Sequence, residues 1–216
     1  MNTPPDMVIF DCDGVLVDSE GITDRVMMAS FAKYGLALGR DQISSLFVGG
    51  TMQGAMTQAL KMGANLPDDW LDLIYPEIFT ALAAQVEPIP GAIAVLDALD
   101  AAGIPYAIGS NGPHAKMDVT LTRTGLAERL KGRVYSREDV PNAKPAPDVY
   151  LLAARNAGIT PERCVVVEDS ATGAKAGVAA GMTTFGFYGE TQRARLEQIC
   201  DAVFGDMREL PTLLGL

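Results

Sequence analysis

Apolar residues fall along this chain in two rhythms. Short unbroken runs recur at residues 8–10, 106–108, 164–167, 183–187 and 202–204, with the length and the β-branched or aromatic content of buried strands. Between the later runs, apolar positions recur at helical spacing over 92–102, 114–124, 147–157 and 171–180. Glycines follow these stretches, Gly103, Gly125, Gly158 and Gly181, and glycine readily takes the left-handed conformation that closes a helix. Strands alternating with helices of about ten residues predict βαβ units, a parallel sheet covered on both faces.

Residues 19–86 break this rhythm. They carry helical spacing at 22–34, 42–47, 51–61 and 68–86, punctuated by Gly49-Gly50 and Pro67, and no strand pattern. A mostly helical module inserted after the first strand is the expectation, with Met27, Met28, Met52, Met56 and Trp70 filling its core. The chain returns to the sheet through Pro88-Ile89-Pro90-Gly91. The expected division is a core of 1–17 with 88–216 and a helical module of 18–87. Its 216 residues suffice for one sizeable α/β core plus a small insertion.

Composition narrows the function classes. A net charge of −10 argues against nucleic-acid binding, which needs clustered Lys and Arg. No stretch is long and apolar enough for a membrane span. Cys12, Cys164 and Cys200 show no CxxC spacing, which fits a reducing compartment and argues against structural zinc. The first residues lack the basic-then-apolar pattern of a secretory signal, so a cytoplasmic, monomeric protein is expected.

The chemistry lies where the strands end. The first run leads into Asp11-Cys12-Asp13-Gly14, two carboxylates spaced i, i+2 at a turn. Such a pair reads equally as a metal or acid/base site and as an ordinary acidic turn. Further along, the run at 106–108 ends in Gly109-Ser110-Asn111-Gly112, and that at 164–167 in Glu168-Asp169-Ser170. Lys144 lies between Ala143 and Pro145, with Pro147 close behind. Ligands of open parallel sheets bind at the carboxyl ends of the strands, so these groups are expected at one edge. Together they suit phosphoryl transfer: a carboxylate to attack phosphorus, a second to move protons, and a lysine and a hydroxyl to hold phosphoryl oxygens. Glu168 and Asp169 could also cap the following helix. His114 reads as a helix-start residue, and the Ala/Gly-rich stretch 171–181 as close packing on the sheet.

Asp11-Cys-Asp13-Gly14-Val-Leu-Val-Asp18, Ser110-Asn111, Lys144-Pro145 and Glu168-Asp169 resemble the four ordered motifs of the haloacid dehalogenase (HAD) superfamily. The chain is most similar to its phosphoglycolate phosphatase and β-phosphoglucomutase-like branch, which carries a helical cap between the first two motifs. The resemblance implies a Rossmann-like, doubly wound parallel sheet with an inserted helical cap domain. It implies Asp11 as nucleophile, Asp13 as general acid/base, and Ser110, Asn111 and Lys144 as phosphate-binding groups. It also implies Mg²⁺ held by Asp11, the Asp13 carbonyl and Asp169, with Glu168 a ligand or one step behind. The expected activity is hydrolysis of a small phosphorylated metabolite, a sugar or sugar-acid phosphate such as 6-phosphogluconate or phosphoglycolate. The alternative is a sugar phosphomutase, although Thr23 stands where mutases of the branch carry a histidine. A dehalogenase fits worse, because Asp13 serves a phosphoryl leaving group.

Overall fold

The protein is described from a computed structural model over residues 3–40, 42–43, 51–189 and 193–216. Its strands are β1 (Met7–Phe10), β2 (Tyr106–Ser110), β3 (Val134–Ser136), β4 (Cys164–Glu168), β5 (Thr183–Phe187) and β6 (Ala202–Phe204). All pair in parallel, in the order β3-β2-β1-β4-β5-β6. β1 is central: Ile9 is opposite Ala107 on one side and Val166 on the other. Every residue of β1, β2 and β4 is buried, which is why these segments read as continuous apolar runs instead of alternating ones. This is the doubly wound, Rossmann-like α/β fold that the pattern and the resemblance predicted. The order turns back at β1, whose neighbours β2 and β4 run outward in opposite directions. That switch point is where such sheets bind ligands.

Helices of the sheet unit are α4 (Ala92–Ala102), α5 (His114–Arg123), α6 (Asp148–Ala157), α7 (Ala171–Ala179), α8 (Arg193–Leu196) and α9 (Leu210–Leu214). Val149, Tyr150 and Ala153 of α6 and Ala176 of α7 pack with Ile9, Ala107 and Val166 in one apolar cluster. Burying one such aliphatic side chain contributes about 1.5–3 kcal/mol. β3, absent from the sequence expectations, has three residues, two of them only half-buried, at the sheet's edge. Val134-Tyr135-Ser136, set between Arg133 and Arg137, offers no unbroken apolar run of the kind that marks Ala202–Phe204. Gly103, Gly125, Gly158 and Gly181 all take positive φ, as expected of helix-closing residues.

Two compact units divide the chain, Met1–Asp18 with Glu87–Leu216, and Ser19–Val86. The second contains α1 (Glu20–Lys33), α2 (Met52–Lys61) and α3 (Trp70–Gln85) and no strand among its described residues. α1 meets α3 through a stacked Phe31–Trp70 pair, ring centroids 5.2 Å apart, and Trp70 Nε1 donates to Ser30 Oγ at 2.9 Å. Trp70, Met27 and Met56 are buried in this unit as expected. Met28 and Met52 are not: their positions on α1 and α2 leave them half-buried at its margin. Of the helix expected over 42–47, Gln42 and Ile43 are helical; the remainder, with Gly49-Gly50, lies outside the described residues.

Candidate active site

Asp11 follows β1 directly, and its N–H donates to the Val167 carbonyl of β4 at 2.9 Å. This bond continues the parallel ladder one residue past the strand and holds the carboxylate at the switch point. Lys144 Nζ sits 2.6 Å from Asp11 Oδ1 and 2.6 Å from Glu168 Oε1, one ammonium between two carboxylates. All three side chains are buried. The ammonium also lies 4.6 Å from the centre of the Tyr150 ring, and the Tyr150 hydroxyl donates to Glu168 Oε1 at 2.8 Å. Glu168 Oε2 accepts from the N–H and the hydroxyl of Ser170, both at 3.0 Å. Both oxygens of Glu168 are therefore engaged by protein donors.

Sequence reasoning missed Tyr150, which is an ordinary helix residue by pattern. It also missed why the helix after β4 is rich in glycine. A Cβ on Gly173 would stand 1.6 Å from Glu168 Oε1, so this position must lack a side chain for the carboxylate to fit. Gly177 meets the expectation of close packing on the sheet: a Cβ there would stand 2.5 Å from Thr184 Oγ1 and 3.2 Å from Val166.

Ser110, the last residue of β2, is buried, and its Oγ accepts from the Gly112 N–H at 2.9 Å. Asn111 does something the sequence did not suggest. Its Oδ1 accepts from the Lys144 N–H at 2.9 Å, and its Nδ2 donates to the Lys144 carbonyl at 3.2 Å. The amide that was expected among the phosphate-holding groups is thus bonded to the main chain of the lysine. Ser136 at the end of β3 donates from Oγ to the Gly112 carbonyl at 2.7 Å, tying the edge strand to the same loop. His114 starts α5 as expected. Its N–H donates to Glu138, and its Nε2 lies 2.9 Å from Asp139.

Asp13 carries its carboxylate 2.8 Å from Lys116 Nζ, a lysine in the first turn of α5. Gly14 turns the chain with φ +77°, and a Cβ there would stand 2.2 Å from Asp169 Oδ2. The loop after β1 and the loop after β4 therefore come together at Gly14, and glycine is needed for both reasons. Cys12, between the two aspartates, is fully buried. Burial first, then Asp13 and Asp11, push its thiol well above the ordinary range, so it is packing and not a nucleophile.

Electrostatics at the site follow from crowding. Burial is the largest influence on Asp11, and with Glu168 and Asp13 it outweighs Lys144, pushing the carboxyl up to about 7. Burial alone would lower Lys144, but Asp11 and Glu168 raise it on balance, so the ammonium stays charged. Lys116 behaves likewise, with Asp13 overcoming its desolvation. Four acidic side chains, Asp11, Asp13, Glu168 and Asp169, gather where there are two lysines, so acids outnumber bases by two.

That excess suits one divalent cation. Asp11, Asp169 and the Asp13 carbonyl offer hard oxygen donors, the kind Mg²⁺ takes. Among the described residues no three His, Cys, Asp or Glu side chains form a metal cage by themselves. Mg²⁺ usually binds through one or two carboxylates, with water and substrate phosphate completing the shell, so the donor set fits it.

Comparisons with known proteins identify relatives of the chain. The haloacid dehalogenase-like hydrolase family matches residues 5–181. The chain is 30% identical over 208 residues to the 6-phosphogluconate phosphatase of Escherichia coli K12, covering 95% of this chain and 93% of that protein. It is 31% identical over 204 residues to hexitol phosphatase A of the same organism, covering 94% and 91%. Among solved structures, it is similar to a HAD family hydrolase from Deinococcus radiodurans R1, crystallised with phosphate and sodium. There the TM-score is 0.84 at 38% identity, over 99% of this chain and 96% of that one.

Proposed function

Because the chain belongs to the haloacid dehalogenase-like hydrolases and is a phosphatase, we propose that it hydrolyses a sugar or sugar-acid phosphate through an aspartyl-phosphate on Asp11. The observation that carries the reading is the buried Asp11 carboxylate at the switch point, bonded to Lys144, with Asp13 two residues on. The Escherichia coli relatives named for 6-phosphogluconate and hexitol phosphates support this substrate class.

In the first step an Asp11 oxygen attacks phosphorus as the bond to the substrate oxygen breaks, and Asp13 gives that oxygen its proton. In the second, the Asp13 carboxylate takes a proton from water as the water oxygen attacks phosphorus. The Asp11–phosphorus link breaks, orthophosphate leaves, and Asp13 is protonated again for the next cycle. Lys144 and the Ser110 hydroxyl hold the phosphoryl oxygens, fixed ahead of reaction by Glu168, Tyr150 and Asn111. Mg²⁺ held by Asp11, Asp169 and the Asp13 carbonyl would offset charge on nucleophile and phosphate together. Glu168, which accepts from Lys144 Nζ, would steady that lysine.

Hydrolysis is favoured over mutase chemistry by Thr23. Its hydroxyl donates to the Ser19 carbonyl of its own helix at 3.0 Å, and a threonine cannot serve as the proton carrier that a histidine would be. The test is phosphate release from a panel of phosphorylated sugars, sugar acids and polyols, with Mg²⁺ or EDTA, for wild type and Asp11→Asn. Turnover that needs metal and vanishes in the variant is the expected result. Undiminished turnover in Asp11→Asn overturns the mechanism, and isomerisation without phosphate release overturns hydrolysis.

A further inference from the structure

Lys116 has no part in the mechanism just described, yet it ends at the carboxylate that moves the protons. It belongs to the first turn of α5, where the positive end of the helix dipole disfavours a cation. It is also largely buried, its side chain 18% exposed, which costs a lysine its hydration. Two unfavourable placements in one residue call for a compensating partner, and that partner is Asp13 Oδ1 at 2.8 Å. The other oxygen, Oδ2, faces Gly112, where a Cβ would stand 3.5 Å from it. Gly112 is the residue whose N–H donates to Ser110 Oγ. Asp13 is therefore met on one side by α5 and on the other by the loop after β2. Its placement is tied to the groups proposed to hold phosphate, although it is 97 residues from Ser110 in the chain.

We propose that Lys116 is the positioning residue of the general acid/base, holding the Asp13 carboxylate toward the leaving-group oxygen. The proposal rests on the phosphatase reading above. The ion pair spans 103 residues and joins the loop after β1 to α5, so it orients Asp13 only when β1 and β2 lie side by side as they do here.

Lys116→Met tests this, since it keeps the length and apolar stem and removes the ammonium. An alkyl phosphate needs a proton on its departing oxygen, whereas p-nitrophenyl phosphate releases a stable phenolate without one. If Lys116 positions the acid, kcat/KM for the alkyl phosphate falls roughly 10- to 100-fold. The value for the aryl phosphate changes little, and Lys116→Arg restores part of the loss. Equal losses for both substrates, or a rise in KM alone, would mean that Lys116 binds phosphate and would overturn the proposal. So would full activity in Lys116→Met.

A structure of Lys116→Met gives a readout independent of turnover. The Asp13 carboxylate is expected to leave its present place, and an unmoved carboxylate overturns the proposal. If the wild-type protein releases phosphate from neither substrate, the phosphatase reading falls, and the position of Asp13 in the variant still decides the role of Lys116.

Discussion

Asn111 and Lys144, 33 residues apart, clasp one another through a side chain and a main chain, the amide of one bonded to both the N–H and the carbonyl of the other. Lys144 is thereby anchored at its backbone by the loop after β2 and at its ammonium by Asp11 and Glu168. A long side chain is thus held at both ends.

Asn111→Ala removes the anchor at the backbone while keeping the Lys144 ammonium and both of its carboxylate partners, so that the lysine can shift as a whole. The expected loss is roughly 10²-fold in kcat, the scale of a misplaced catalytic group. A stability loss of about 1–3 kcal/mol from the orphaned main-chain groups should accompany it. Steady-state kinetics and thermal melts check the two, and a variant with full kcat would show that the clasp is structural only.

Gly173→Ala and Gly177→Ala separate site from scaffold on one helix. Both force a methyl into occupied space, and overpacking of this kind costs about 1–3 kcal/mol. Only at Gly173 is the displaced group the carboxylate that holds Lys144. Gly173→Ala should therefore lose turnover per folded molecule, and Gly177→Ala should lose stability alone. Equal specific activities of the two variants would contradict this.

Acid should inhibit through Asp11, the proposed nucleophile. Asp11, raised to about 7 by burial and its acidic neighbours, must be ionised to attack phosphorus or to hold a metal. As pH falls through that value a proton occupies the carboxylate, so activity is present above it and lost below. Metal and proton compete for the same oxygens, so raising Mg²⁺ should shift the acid limb of the rate profile to lower pH. An acid limb at the same pH for every Mg²⁺ concentration would rule out that competition.

Ser30→Ala leaves the Trp70 N–H buried without its partner. The expected cost is about 1–3 kcal/mol. Trp70 is the chain's one tryptophan, so intrinsic fluorescence follows the helical unit during melting. A transition lower by roughly 2–4 °C per kcal/mol is expected, and an unchanged midpoint would show that the bond contributes nothing.

How much of this could be read in advance depended on distance along the chain. Phe10-Asp11-Cys12-Asp13 is a buried strand and its turn in four consecutive residues, and the sequence alone determined that two carboxylates leave a strand end. The same holds for Ser110, the last residue of β2, and for Glu168, the last residue of β4, with Asp169 following it, because a central parallel strand is an apolar run and the first polar residue marks where it ends. Lys116 on Asp13, Tyr150 on Glu168 and Asn111 on Lys144 left no such mark, since each partner is set by which strands lie side by side. Gly173 looked like its neighbour Gly177 until the Glu168 carboxylate was found against it. Strand ends are local features and belong to the sequence. The long-range company was decided only by the order β2-β1-β4, which brings Asp13 to Lys116 and Asp11 to Lys144, each pair more than a hundred positions apart, within a hydrogen bond.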